Sequence, residues 1–96
     1  MLTNDIESIE KLMLYVLSID RRVLVVREFQ NHSVLRASDI AKEVNRSLQN
    51  TSRALNELKT KEIVLCINYQ SRTWKKYMLT EKGKKVLDLL KARKLL

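Results

Sequence analysis

Across 96 residues the chain has no proline and a single glycine, Gly83. Those two residue types punctuate most chains: proline stops helices and central strands, and glycine supplies the left-handed backbone of many turns. With almost none of either, this chain must fold as continuous secondary structure with tight connections. Its turns fall to Asn, Asp and Ser. No stretch has the composition of a linker, a repeat or a low-complexity tract, so one domain is expected to span residues 1–96. A domain of this size often gains stability by pairing with a second copy. Hydrophobic residues make up 45%, enough for a packed core.

Helical spacing opens the chain. Ile6, Ile9, Leu12, Met13, Val16 and Leu17 make a stripe over about residues 5–18. Leu14, Tyr15 and Ile19 widen it until the helix is apolar almost all round, which predicts burial on more than one side. Asp20 is placed to cap a second helix over about 21–31, with Val23, Leu24, Val26 and Phe29 inside. The β-branched run 23–26 also permits a strand, although spacing and cap favour helix. Residues 34–36 read as a short extended piece.

Ser38 is expected to cap a third helix over about 39–44, with Asp39 in the first turn, where the helix dipole favours an acid. Its inward residues are Ile40, Ala41 and Val44. Ser47 caps a fourth helix to about Lys61, with Leu48, Thr51, Leu55 and Leu58 inside. Residues 63–69 and 73–79 then alternate. Ile63, Leu65, Ile67 and Tyr69 share one face of the first run. Thr73, Lys75, Tyr77 and Leu79 share one face of the second. The polar link Gln70-Ser71-Arg72 makes the pair a hairpin. Thr80 caps a last helix from Glu81 to the C-terminus. The predicted class is α+β, mainly α, in the order α-α-β-α-α-β-β-α.

The formal charge is +8, and its distribution is uneven. Residues 1–44 hold six basic residues against seven acids, a net of −1, while residues 45–96 hold thirteen against four, a net of +9. General solubility, or the Lys-rich composition of heat-adapted proteins, would account for the total but not for the asymmetry. Charge concentrated in one half implies an anionic partner bound there.

From about residue 39 into that half, two short helices joined by a tight turn and followed by a hairpin make a helix-turn-helix with a wing. The first helix must leave small and apolar residues where the second crosses it, and Ala41 is that small residue. The second must keep a polar face free for the major groove. Here that face is Gln49, Ser52, Arg53 and Asn56, over a recognition helix of about 48–61. Arg makes paired bonds to guanine, Gln and Asn to adenine, and Ser to a base or a phosphate. These four residues alone favour an ordinary solvated helix face over a reading surface.

The segment Ile40–Leu58, IAKEVNRSLQNTSRALNEL, resembles the helix-turn-helix of winged-helix transcriptional regulators of the MarR and ArsR kind. Ala41, Val44, Ser47, Ser52, Arg53, Leu55 and Leu58 fill its pattern without insertion. Ile63-Val64 and Tyr77-Met78-Leu79-Thr80-Glu81-Lys82-Gly83 resemble the strand leaving the reading helix and the Y-x-L-T-x-x-G that closes the wing. The match covers about Ser38 to Leu90. It departs at Asn45 and Glu62, where the family has glycine, and at Arg46 and Thr51, where it has apolar residues. Asn tolerates a left-handed backbone and can replace the turn glycine. Arg46 either loosens the turn's packing or points to phosphate. The chain largely lacks the extended terminal helices of longer members, which implies a small regulator without a ligand-sensing pocket, of an archaeal or viral type.

The resemblance implies a sequence-specific regulator of double-stranded DNA. A wing at about 69–76 would bring Arg72, Lys75 and Lys76 to the minor groove or the flanking backbone. Arg46, Lys59 and Lys61 are expected on phosphates, beside Ser47 and Asn50 at the start of the recognition helix. Trp74 either stacks on a base or packs against the protein or a partner subunit. Val86, Leu87, Leu89, Leu90, Ala92, Leu95 and Leu96 make a stripe wider than a small core requires. With the over-apolar first helix, that predicts a homodimer through residues 1–19 and 84–96. The alternative is that both helices simply cover the core. An architectural or chromatin-type binder with little sequence preference shares every one of these features. A winged-helix protein-interaction module also fits the pattern but needs no concentrated cation field.

One Cys and one His give neither an internal disulfide nor a metal-ligand cluster, and no cofactor is expected. Cys66 reads as a small buried hydrophobe, and His32 as structural or solvated. No Ser-His-Asp set, paired-acid cleft or phosphate-cradling glycine loop is present, so an enzyme is not expected. The apolar run Leu12–Leu17 is far below the roughly 20 residues of a membrane span. With no signal-peptide pattern at the start, the expected location is cytoplasmic.

Overall fold

A computed structural model describes residues 5–72 and 74–96. The expected element order is found: α1 Asp5–Leu17, α2 Asp20–Glu28, β1 Leu35–Arg36, α3 Ala37–Val44, α4 Leu48–Thr60, β2 Val64–Cys66, β3 Lys76–Leu79 and α5 Glu81–Ala92. Residues 1–4 of the expected dimer segment, the Ile6 side chain and Thr73 lie outside the described residues.

The scarcity of glycine is solved at the turns by other residues in the left-handed region. Asn45 ends α3 at φ 55°, and Glu62 ends the α4–β2 turn at φ 60°. Both stand where the family pattern has glycine. A side chain there costs about 1–2 kcal/mol, least for Asn, whose short polar group bonds locally. The Asn45 and Arg46 amides both donate to the Ala41 carbonyl, closing the helix end. Ser47 then caps α4, its hydroxyl accepting from the Asn50 amide at 3.0 Å. Three residues thus separate the two helices.

Gly83 sits where it does for space rather than backbone freedom. A Cβ there would lie 2.0 Å from the Ile63 carbonyl oxygen, inside van der Waals contact. The first turn of α5 crosses directly over the start of β2. Thr80 ties the crossing: its amide donates to the Ile63 carbonyl at 3.0 Å, and its hydroxyl accepts from the Gly83 amide at 3.0 Å. The T-x-x-G motif is therefore a helix cap and a close approach in one.

The sheet has the order β1-β3-β2, antiparallel throughout, with Leu35 opposite Tyr77 and Val64 opposite Leu79. Those four side chains are buried. They close a core whose fully buried members include Val16, Val25, Ile40, Leu55, Leu58 and Leu90.

Several sequence expectations are corrected in detail. Ile19, not Asp20, is the N-cap of α2, and no side chain caps it. Asp20 falls in the first helical turn instead. The cap of α3 is Arg36 rather than Ser38, and the Asp39 carboxylate accepts the Arg36 amide at 3.3 Å. Helix α2 stops at Glu28, because residues 29–31 tighten to i→i+3 bonds. The strands are shorter than the alternation suggested. Ile63 and Val64 are both buried, whereas Ile67 and Tyr69 are exposed, since residues 67–70 already form the turn. Leu48 is 54% exposed rather than inside. It is the first helical residue after the cap and projects past the edge of the core. Ala54 takes the buried position instead.

Candidate nucleic-acid interface

The outward face of α4 starts from its cap. Ser47 fixes the first turn, and Thr51, Ala54, Leu55 and Leu58 anchor the inner side. The opposite side then presents Gln49, Ser52, Arg53 and Asn56, which line one shallow depression with Glu57 and Thr60. Arg53 has neither a hydrogen bond nor an ion pair among the described residues. Asn50, Asn56 and Lys59 are exposed on the same helix. Arg46, in the turn, pairs with Asp20 at 2.8 Å. Both side chains are largely in solvent, where such a pair is worth about 0–1 kcal/mol and yields readily to a phosphate.

One acid stands among these groups, and it is neutralised. Glu57 accepts from Arg21 Nε at 3.2 Å, from the Arg21 terminal nitrogen at 2.6 Å and from Arg22 Nε at 3.1 Å. The Arg21 hydrogen bond holds the Glu57 carboxyl below its usual value against the opposing effect of burial, and Arg22 adds to it. Arg22 is only 7% exposed, and its guanidinium lies 3.8 Å from the Tyr15 ring centroid. It donates to the Tyr15 carbonyl at 2.8 Å and the Ser18 hydroxyl at 3.1 Å. The Tyr15 hydroxyl in turn donates to the Glu57 carbonyl at 3.3 Å. Helix α4 is thus bolted to α1 and α2 by a charge-assisted network, with its outward face left free.

The wing is held open by Asn68. Its amide nitrogen donates to the Trp74 carbonyl, and its amide oxygen accepts from the Lys76 amide at 2.7 Å. The Trp74 amide donates to the Ser71 hydroxyl at 3.0 Å. Arg72, Lys75 and Lys76 are exposed beside these bonds, and none makes an ion pair among the described residues. Lys61 is placed differently from the expectation: its ammonium lies 5.2 Å from the Tyr15 ring, on the α1 side. Cys66 is half-buried, and His32 is exposed.

Two contributors were not singled out from the sequence, and a third, Leu48, was assigned to the core. Glu57 was one of four acids in a basic half, and its arginine partners lie 35 and 36 residues away. Asn68 read as an alternating strand residue. Leu48 carries its own signal, an apolar residue directly after a cap serine, which here stays at the surface.

No helix among the described residues is long and apolar enough to cross a membrane. No group of three or more His, Cys, Asp or Glu among them is placed to hold a metal ion.

Known structures share this arrangement. TubR bound to 24 bp of tubC, from the pBtoxis plasmid of Bacillus thuringiensis serovar israelensis, superposes with a TM-score of 0.76 at 15% identity, covering 97% of each chain. A MarR family transcription regulator gives 0.74 at 16% identity, over 93% of this chain and 60% of that one. A second, from Silicibacter pomeroyi, gives 0.67 at 17%, over 88% and 58%. At these identities the likeness is one of fold. No curated protein sequence matches the chain. Residues 28–96 match the family model described as winged helix-turn-helix, covering the turn, the recognition helix, the wing and α5, and the chain belongs to that family.

Proposed function

We propose that this protein is a non-enzymatic, cytoplasmic, sequence-specific binder of double-stranded DNA that acts as a homodimer, with α4 in the major groove and the wing at the minor groove or backbone. The observation that carries the reading is the free outward face of α4. Gln49, Ser52, Arg53 and Asn56 share it, and its one acid is neutralised from behind by Arg21 and Arg22. Gln, Arg and Asn are the side chains that read base edges bidentately. Leu48, exposed at the helix start, suits a thymine methyl. Arg46, Lys59, Arg72, Lys75 and Lys76 supply phosphate contacts, and Ser47 and Asn50 flank them.

The likeness to TubR, whose structure contains tubC DNA, supports the same use of the fold. The match runs through nearly the whole of both chains, whereas the MarR regulators are much longer. With the TubR described in plasmid segregation also matching, a role in DNA segregation stands beside one in regulation. We assign the dimer contact to the two ends of the chain, where Leu14 on α1 is 60% exposed and Leu95, just beyond α5, is 43% exposed. Two-fold symmetry would then set two α4 helices about 34 Å apart, in successive major grooves.

Affinity for duplex DNA measured across salt tests the proposal. The five cations set a ceiling near −4.5 per protomer on the slope of log affinity against log salt. A slope steeper than about −2 per protomer is expected, and a flat response contradicts duplex binding. Selection from random duplexes should return a motif with two-fold character. A pool that stays random would assign the protein to architectural binding instead.

A further inference from the structure

The sheet register separates two faces. Leu35, Val64, Tyr77 and Leu79 point into the core. Arg36, Lys76, Leu65 and Met78 alternate with them and point away. Where that outward face meets the wing root there is an open depression of about 440 Å³, lined by Val34, Arg36, Asp39, Trp74 and Lys76. Trp74 is 61% exposed, which is unusual for the largest apolar side chain and leaves most of its ring in water. The duplex reading gives it no role.

The depression is organised before any ligand arrives. The Asp39 carboxylate accepts from Arg36 Nε at 3.0 Å and from its terminal nitrogen at 3.2 Å. That fixes the guanidinium 5.4 Å from the Trp74 ring centroid. The ring therefore has a cation at one side and open space at the other. Asp39 is the lone carboxylate lining the depression, and Arg36 occupies it. Lys76 lines the rim, Lys75 and Arg72 are near in sequence, and none of the three has an acid partner among the described residues. The Trp74 backbone is held on both sides, by Asn68 and by Ser71.

A preset aromatic face bordered by unpaired cations is the chemistry that binds unpaired nucleobases. The ring stacks on the base, and the ammonium groups take the phosphates to either side. A duplex cannot use such a site, because its bases are already stacked on one another. A second copy of this chain fits poorly, since face-to-face packing would oppose the same uncompensated cations. We propose that the wing root carries a second nucleic-acid site, in which an unpaired base of single-stranded DNA stacks on Trp74 between Arg36 and Lys76. This site shares Lys76 with the wing contacts of the duplex reading but does not depend on the role given to α4, so base stacking on Trp74 and duplex binding by α4 can each fail without the other.

Trp74 is the only tryptophan in the chain, so its emission reports the site directly. Adding single-stranded oligo(dT) to the full-length protein should quench that emission, with saturation. Thymidine monophosphate should quench weakly, because it lacks the neighbouring phosphates. Trp74→Ala should weaken oligo(dT) binding, followed by anisotropy of a labelled oligonucleotide, by a factor between about 5 and about 150, the range for losing one stacked base. Trp74→Phe keeps a ring and should recover part of the loss. Because the side chain is exposed, both variants should unfold at the wild-type temperature. Unchanged emission at saturating oligo(dT), or Trp74→Ala binding it as tightly as wild type, would overturn the proposal. So would an emission shift that grows with protein concentration alone, which would assign the face to protein docking.

Discussion

Replacing Glu57 by glutamine tests the bolt behind α4. The change keeps the shape and one acceptor oxygen but removes the charge that two arginines share. An exposed ion pair is worth about 0–1 kcal/mol, whereas losing one partner of a buried pair costs about 3–5 kcal/mol. This network lies between those limits, with Arg22 at 9%, Glu57 at 24% and Arg21 at 26% side-chain exposure. Arg22 would be left buried against Tyr15 without a counter-charge. We expect a loss of about 2 kcal/mol at pH 7. At about 4–8 °C per kcal/mol for a domain of this size, the midpoint should fall by roughly 8–16 °C.

The pH dependence gives the sharper check. Arg21 and Arg22 hold the folded Glu57 carboxyl below its usual value, so the folded protein takes up that proton less readily than the unfolded chain. The stability supplied by the clamp is therefore complete above the unfolded carboxyl value of about 4.3 and is lost as pH falls through the lower folded one. Thermal unfolding of wild type and Glu57→Gln, followed by circular dichroism from pH 7 down to pH 3, should show a gap that is constant above about pH 5 and narrows below it. Equal midpoints at pH 7, or a gap that does not narrow in acid, would refute the clamp as a charge-assisted device.

Three further substitutions probe the framework. Gly83→Ala should destabilise strongly, by about 2 kcal/mol or more, because the added methyl meets a backbone carbonyl at 2.0 Å and α5 must move; denaturant unfolding measures it. Thr51→Val should raise the melting midpoint by several degrees, since the Thr51 hydroxyl is buried without a hydrogen-bond partner among the described residues and such a group costs about 1–3 kcal/mol. Leu14→Asp should shift the solution mass toward that of one chain in sedimentation or light scattering, and an unchanged mass would move the dimer contact away from α1.

Much of this fold was legible because its sequence signals are local. Ser47 and Thr80 cap the helices they were assigned to, and each bonds an amide three residues on. Asn45 and Glu62 hold left-handed backbones at the two places where glycine is customary. The periodic stripe of α4 needed only its own residues. The errors arise where an element's end depends on something distant. Asp20 has the chemistry of a cap, but the helix starts one residue earlier, and its carboxylate turns to Arg46 across the turn. Leu48 has the spacing of a core residue, but the core ends before it. The alternation at 63–69 suggested one long strand, yet Asn68 folds the chain back and shortens it.

The outward residues Gln49, Ser52, Arg53 and Asn56 were legible as a face of α4. What kept them free was not, because Glu57 meets its arginines only in the folded chain. A charge count by halves located the cations but could not show that Arg21 and Arg22 are spent on structure while Arg53 and Lys75 have no ion-pair partner among the described residues.

The central claim is that Arg53 reads sequence while the wing cations only hold the backbone. The direct measurement is the affinity of wild type, Arg53→Ala and Lys75→Ala for the duplex recovered by selection and for a random duplex, at one salt concentration. Loss of a bidentate base contact is worth about 1–3 kcal/mol, so Arg53→Ala should weaken the selected duplex by about 5- to 150-fold, with a much smaller effect on the random one. Lys75→Ala should weaken both by the same factor. Equal losses on the two duplexes for Arg53→Ala, or no loss on either, would contradict the account.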